Sequence, residues 1–323
     1  MQRREVLKAA AVATAALAMG RSGFATRYSG PIIDAHIHLF DPTRAGGVPW
    51  PEKSDTALYK AALPGRYEAL ARGLGVVGAI AIEASPWPSD NAWLLDVVAR
   101  NPVMVGAVGD LNPGLPTFMH DLEVLHRNPL FLGIRYGNLW GRDLMADLDK
   151  PGFVDGLKAL AQAGLALESA NPDPRLMRAL LRAGERVPEL RMVADHLPNA
   201  SVPATRAARQ DFQADLRRLA ENPGVFVKLS EIPVRAPGGL VTDAGVYKDR
   251  LDALWDIFGE DHVLFGSDWP NSDHVATYAE TLAIVRGYMA QKSAEAQAKY
   301  YGKNSIAAYR WRRRRPDQPE GFL

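Results

Sequence analysis

A chain of 323 residues with 47% hydrophobic and 23% charged residues has an ordinary globular balance, which excludes a disordered or fibrous protein. Its formal net charge of +1 gives no bias toward nucleic acid or an anionic membrane surface. It has no cysteine, which rules out disulfides, thiolate catalysis and cysteine-held zinc, so any metal must be held by His, Asp or Glu.

At the N-terminus, Arg3 and Arg4 lead into Glu5-Val6-Leu7-Lys8 and an Ala-rich apolar run reaching Met19. A basic start, a modest apolar stretch and small-residue cleavage options (Ala16-Leu17-Ala18 or Gly23-Phe24-Ala25) describe a signal peptide over residues 1–25. The paired arginines resemble a twin-arginine signal, so the expectation is export of the folded chain to the periplasm or the extracellular space. The run is too short and too rich in Ala for a comfortable membrane span.

From Pro31 onward, eight short apolar runs follow one another: Ile32-Ile33, Val76 to Ile82, Val103 to Val108, Phe131 to Ile134, Leu165 to Leu167, Leu190 to Val193, Val225 to Val227, and Val263 to Phe265. They are brief, rich in Val, Ile or Leu, and do not alternate with polar residues, as strands buried on both faces do not. Amphipathic stretches such as Asn91 to Arg100, Phe153 to Ala163 and Phe212 to Asn222 lie between them. Eight strands alternating with helices predict an α/β fold, a single-domain (β/α)8 barrel over residues 30–311. An open doubly wound sheet is the alternative, but no Gly-rich phosphate turn follows the first run. The basic segment Arg312 to Arg315 opens a short C-terminal tail, residues 312–323, expected to be a solvated extension with no role in nucleic-acid binding.

In such barrels chemistry gathers at the C-terminal ends of strands. Here those ends carry His36 and His38, Glu83, Asp110, Arg135, Glu168, Asp195 with His196, Lys228, and Ser267 with Asp268. Ionisable groups inside a barrel are costly unless paired or metal-bound, so eight polar ends in succession mark one ionic cluster at the mouth. His36 and His38, two apart on a strand, face the same side, where their imidazoles could share a divalent cation. In a closed barrel the first and eighth strands are neighbours, which brings Asp268 beside the pair.

Three segments carry a family likeness: Asp34-Ala35-His36-Ile37-His38-Leu39-Phe40-Asp41-Pro42, Asp195-His196-Leu197, and Phe265-Gly266-Ser267-Asp268-Trp269-Pro270. They resemble the motifs of the amidohydrolase-2 family, and most nearly its branch of sugar-lactone, muconolactone and 2-pyrone-4,6-dicarboxylate lactonases. The likeness runs from about Pro31 to Trp311, with support from Asn91, Arg135, Lys228, Asn304 and Tyr309. It implies hydrolysis of a lactone or related carbonyl compound, a small molecule. Metal-dependent relatives often end the fifth strand in His, where this chain has Glu168, and the lactonase branch also contains members that work without metal.

Roles follow from the chemistry of opening a lactone. Asp268 would take the proton of the attacking water and return it to the leaving alkoxide. His36, His38 and Asp268 would hold a divalent metal, with zinc the expected ion, and His196 would help to stabilise the oxyanion. Arg135 and Lys228 would bind a substrate carboxylate, or pair with Glu83 and Glu168. Glu83, Glu168, Tyr136 and Trp269 are candidate substrate contacts, and Trp50, Trp87 and Trp140 supply further aromatic faces. His274 is a weaker candidate; His120, His126 and His262 fall on the wrong side of the barrel. The competing reading is a metal-dependent, non-oxidative decarboxylase of an aromatic or muconate acid on the same fold. A homo-oligomer is compatible with either.

Overall fold

The computed structural model describes residues 28–199 and 201–322. The expected signal peptide lies outside the described residues. Among the described residues, no helix is long and apolar enough to cross a membrane.

The eight apolar runs form the eight strands of one parallel sheet. These are β1 (Ile32–His38), β2 (Val76–Ile82), β3 (Met104–Gly109), β4 (Phe131–Arg135), β5 (Ala166–Glu168), β6 (Arg191–Ala194), β7 (Val225–Leu229) and, after a small antiparallel hairpin of β8 (Arg235–Ala236) and β9 (Gly239–Leu240), β10 (Val263–Phe265). The barrel strands pair in chain order, each parallel to the next. A helix follows every barrel strand, among them Asp90–Arg100, Phe153–Gln162 and Arg206–Ala220. The last begins six residues before the expected Phe212, because Thr205 caps it by accepting a hydrogen bond from the Ala208 amide.

The barrel closes just beyond β10. Asp268 N–H donates to the His36 carbonyl at 2.9 Å, and His38 N–H to the Trp269 carbonyl at 2.7 Å. Asp34 clasps the seam: its buried carboxylate accepts from the Ser267 amide (2.8 Å) and from the hydroxyls of Tyr67 (3.1 Å) and Tyr278 (3.0 Å). A Cβ on Gly266 would stand 2.8 Å from the His36 Cβ, so the strands can approach this closely only with glycine there.

Two apolar layers hold the fold. Ile33, Ala35, Ile80, Val105, Leu132, Val193 and Leu264 fill the barrel, while a larger shell packs helices against strands. Tyr309 and Trp311 join the inner layer and plug its lower end. The C-terminal tail therefore departs from expectation: part of it is docked. The Arg314 guanidinium donates to the carbonyls of Val98 (2.7 Å), Ala99 (2.7 Å) and Met104 (2.6 Å), and Gln318, 2% exposed, donates to Pro102. The carbonyls at the C-terminus of helix Asp90–Arg100 and the start of β3 give these donors partners that solvent would otherwise have supplied.

Candidate active site

The site is built where the strands end. An irregularity in the β1–β2 register between Asp34 and Ile37 resets the strand's alternation, so that His36 and His38 point inward while Ile37 packs outward. His38 Nδ1 lies 3.1 Å from the carbonyls of both Ile82 and Glu83. Carbonyls only accept, so Nδ1 carries the proton and the Nε2 lone pair is free. That Nε2 stands 3.2 Å from His36 Nε2. Asp268 Oδ1 completes the triangle, 3.3 Å from His38 Nε2 and 3.5 Å from His36 Nε2.

Just beyond β6, β7 and β10, His196 (φ 59°), Glu231 (φ 54°) and Asp268 (φ 59°) hold left-handed backbones that non-glycine residues avoid. Such conformations cost about 1–3 kcal/mol each and persist where surrounding structure enforces them. They turn the chain sharply as it leaves β6, β7 and β10, aiming the side chains across the opening. His196 Nδ1 contacts Ser230 Oγ at 3.1 Å, and its ring is pushed down to about 4, by burial above all, so it is neutral. Burial alone would raise the Asp268 carboxyl; the His38 ring beside it, with those of His196 and His36, outweighs it and holds Asp268 well below the usual carboxylate range. The Asn271 amide donates to Asp268 Oδ2 at 2.7 Å, which leaves Oδ1 buried with no donor well aimed at it. Glu231, 40% exposed, is pushed up to about 8 by burial first and Asp268 second.

These groups open onto a cavity of about 290 Å³. Of the sequence candidates, His38, His196, Asp268, Glu83, Arg135, Trp50 and Trp140 line it. Glu231, Asn171, Asn271 and Leu139 line it too and were missed. Their only signal was position, on the loops following β4, β5, β7 and β10. Arg135 is already engaged: Nε donates to Asp195 Oδ2 at 2.9 Å and to the Ser169 carbonyl at 3.0 Å, and Nη1 stands 3.7 Å from Glu83. Trp140 Nε1 donates to Glu83 at 3.2 Å.

Four expected contacts lie elsewhere. Lys228 is fully buried beneath His36, its Nζ 2.7 Å from Glu168 Oε1, 3.1 Å from Asp195 Oδ1 and 3.0 Å from His36 Nδ1. Glu168 is equally buried, committed to Lys228 and to the Tyr309 hydroxyl at 2.5 Å. With two carboxylates around one ammonium, Asp195 holds its charge while burial and Asp195 push Glu168 up. Tyr136 donates to Asp147 at 2.6 Å and packs on Phe153, and Trp269 faces outward against Tyr67 and Arg66. Neither ring lines the cavity: the chain turns immediately after β4 and β10, which sends both outward. His274 pairs with Asp55 at 2.9 Å in a largely exposed contact.

The donor set suits a cation. His36, His38 and Asp268 offer three ligand atoms, all within 4.8 Å of one another, and the bare buried Oδ1 of Asp268 is the atom that a metal would satisfy. These three residues could hold a divalent metal.

One family model, that of the amidohydrolases, matches residues 33–311, a span that holds the barrel, the paired histidines of β1 and the aspartate after β10. The chain belongs to the amidohydrolase family. This amidohydrolase is 31% identical to an L-fucono-1,5-lactonase of Burkholderia ambifaria, across 88% of this chain and 98% of that one. Among solved structures it is similar to an amidohydrolase of Burkholderia multivorans with bound zinc: TM-score 0.76 and 24% identity, covering 87% of this chain and all of the other. A probable 2-pyrone-4,6-dicarboxylic acid hydrolase of Acinetobacter baumannii shares the fold at TM-score 0.67 and 17% identity, over 86% of this chain and 98% of the other.

Proposed function

We propose that the chain hydrolyses a lactone, and that the lactone is neutral and hydroxylated. The observation that carries this is the Asp268 carboxylate, ionised, with one bare oxygen set between imidazoles at the edge of a cavity lined by Trp50 and Trp140. The Asp268 carboxylate removes a proton from water, the hydroxide adds to the lactone carbonyl, and the collapsing tetrahedral adduct expels the ring alkoxide. The same carboxylate returns its proton to that alkoxide, so lactone and water become a hydroxy acid with no net proton change. The Ser230 hydroxyl can donate to His196 Nδ1, which places the proton of the neutral ring on Nε2, where it can stabilise the oxyanion.

The charge of the cavity supports the substrate class. Glu83, Glu231 and Asp268 present three carboxyl groups, and Arg135 is held by Asp195 and Glu83. A carboxylated substrate would meet repulsion there, whereas hydroxyls would meet acceptors, the amides of Asn171 and Asn271, and aromatic faces. The same argument disfavours decarboxylation of an aromatic acid. The relative named L-fucono-1,5-lactonase is consistent with a sugar lactone.

Zinc is the ion we propose for His36, His38 and Asp268, because two imidazoles and a carboxylate suit it. When bound, it would supply Lewis-acid polarisation. A panel of sugar lactones and carboxylated lactones, followed by indicator detection of released acid, tests the reading. Turnover confined to the carboxylated members, or to none, would overturn it.

A further inference from the structure

Beneath the cavity, the buried ammonium of Lys228 touches a ring of the site while taking no part in binding substrate. Its Nζ lies 3.0 Å from His36 Nδ1, with Glu168 at 2.7 Å and Asp195 at 3.1 Å. Lys228 is 0% exposed. An ammonium has only donors, so His36 Nδ1 must accept. A second contact, on the far side of the ring, gives the same answer. His38 Nδ1 is tied to two carbonyls and carries its proton, so His38 Nε2 is an acceptor; His36 Nε2, 3.2 Å away, must then donate to it. One proton on His36, at Nε2, satisfies both contacts.

We infer that Lys228 is a positioning residue that holds His36 as its Nε2–H tautomer, so that the metal-free site presents a donor where a metal needs a lone pair, and that Lys228 thereby weakens the chain's hold on a divalent cation. For a cation to take Nε2, the ring proton must move to Nδ1. The structure supplies its acceptor there, Asp195 Oδ1 at 3.5 Å. The proton changes nitrogen and none is gained or lost. The Lys228 hydrogen bond to Nδ1 is broken, while its contacts with Glu168 and Asp195 can stay. His36 thus has a partner for either tautomer, and Lys228 biases the choice against metal. This inference concerns the ring and the ion, and it stands or falls separately from the lactone reading.

Two measurements test it. In the full-length, metal-stripped chain, two-bond proton–nitrogen NMR of labelled histidines should place the His36 proton on Nε2 with Nδ1 bare; a proton on Nδ1 overturns the inference without any mutation. The second compares zinc binding, by competition with a chelating dye, in the wild type, Lys228→Met and the charge-balanced pair Lys228→Met with Glu168→Gln. Partners of metal-ligating histidines shift metal affinity about 10–100-fold. Zinc should therefore bind at least about tenfold tighter in the folded variants, and the His36 proton should move to Nδ1. Unchanged or weaker zinc binding in the double variant, whose net charge matches the wild type, overturns the inference; if neither variant folds, the wild-type spectrum decides alone.

Discussion

Asp268 Oδ1 stands 3.3 Å from His38 Nε2 across the seam where the first and last strands of the barrel meet. The base and the imidazole come from opposite ends of the sequence, and hydrogen bonds between His36 and Asp268 and between His38 and Trp269 hold them in register. Asp268→Asn keeps the side chain's size but cannot accept a proton. On the best lactone substrate, kcat should fall about 10²–10⁴-fold while thermal unfolding stays near that of the wild type. Near-normal kcat in the folded variant would dismiss Asp268 as the base.

Glu231 overlooks the cavity from a half-open position, so its charge acts on a bound anion through partly screened space. At pH 9, above the value of about 8 to which the Glu231 carboxyl is raised, Glu231→Gln removes a negative charge and keeps a hydrogen-bonding group. Relative to a neutral sugar lactone, kcat/KM for a carboxylated lactone should rise about three- to tenfold, the scale of one screened charge at this range. An unchanged ratio would show that the cavity does not select by charge.

Acid should weaken the metal-free fold in a definite window. The His196 ring accepts a proton at about 4 when folded and near 6.5 when unfolded, so between those values the unfolded chain binds the extra proton. Stability is therefore highest above pH 6.5 and falls as pH drops toward 4, by about 3 kcal/mol from this ring. His36, depressed by burial and by Lys228, adds a loss in the same direction. Urea unfolding at pH 7.5 and pH 5 measures it; equal midpoints would contradict the buried neutral rings.

The docked tail predicts a stability effect far from the chemistry. Arg314→Ala strips several carbonyls of their charged donor and should cost about 1–3 kcal/mol. Because these contacts lie at the end of the barrel opposite the mouth, kcat and KM should not change. The two readings come from thermal unfolding and from steady-state rates.

The barrel was legible because each buried parallel strand is a short Val, Ile and Leu run, and the His pair and Asp268 because their chemistry sits where strands stop. Glu231 and Asn271 were not, since loop residues reach a site through turns that no periodicity encodes. Lys228 stayed open between two readings for a physical reason. A lysine at a strand end can point along the barrel axis toward substrate or down into a carboxylate pair, and Glu168 with Asp195 settle that choice only in three dimensions. Tyr136 and Trp269 followed the same logic: one and four residues beyond their strands, the turns had already carried them outward.

The left-handed backbones at His196, Glu231 and Asp268 bear on how such a protein would drift if its reaction ceased to matter. Each is a conformation that glycine holds without strain and asparagine tolerates. Replacement by either would relax the backbone while deleting the functional group, so the substitutions that most harm catalysis include some that the fold would welcome. A lineage released from selection on this chemistry would be expected to lose the mouth of the barrel first, and to become sturdier as it fell silent.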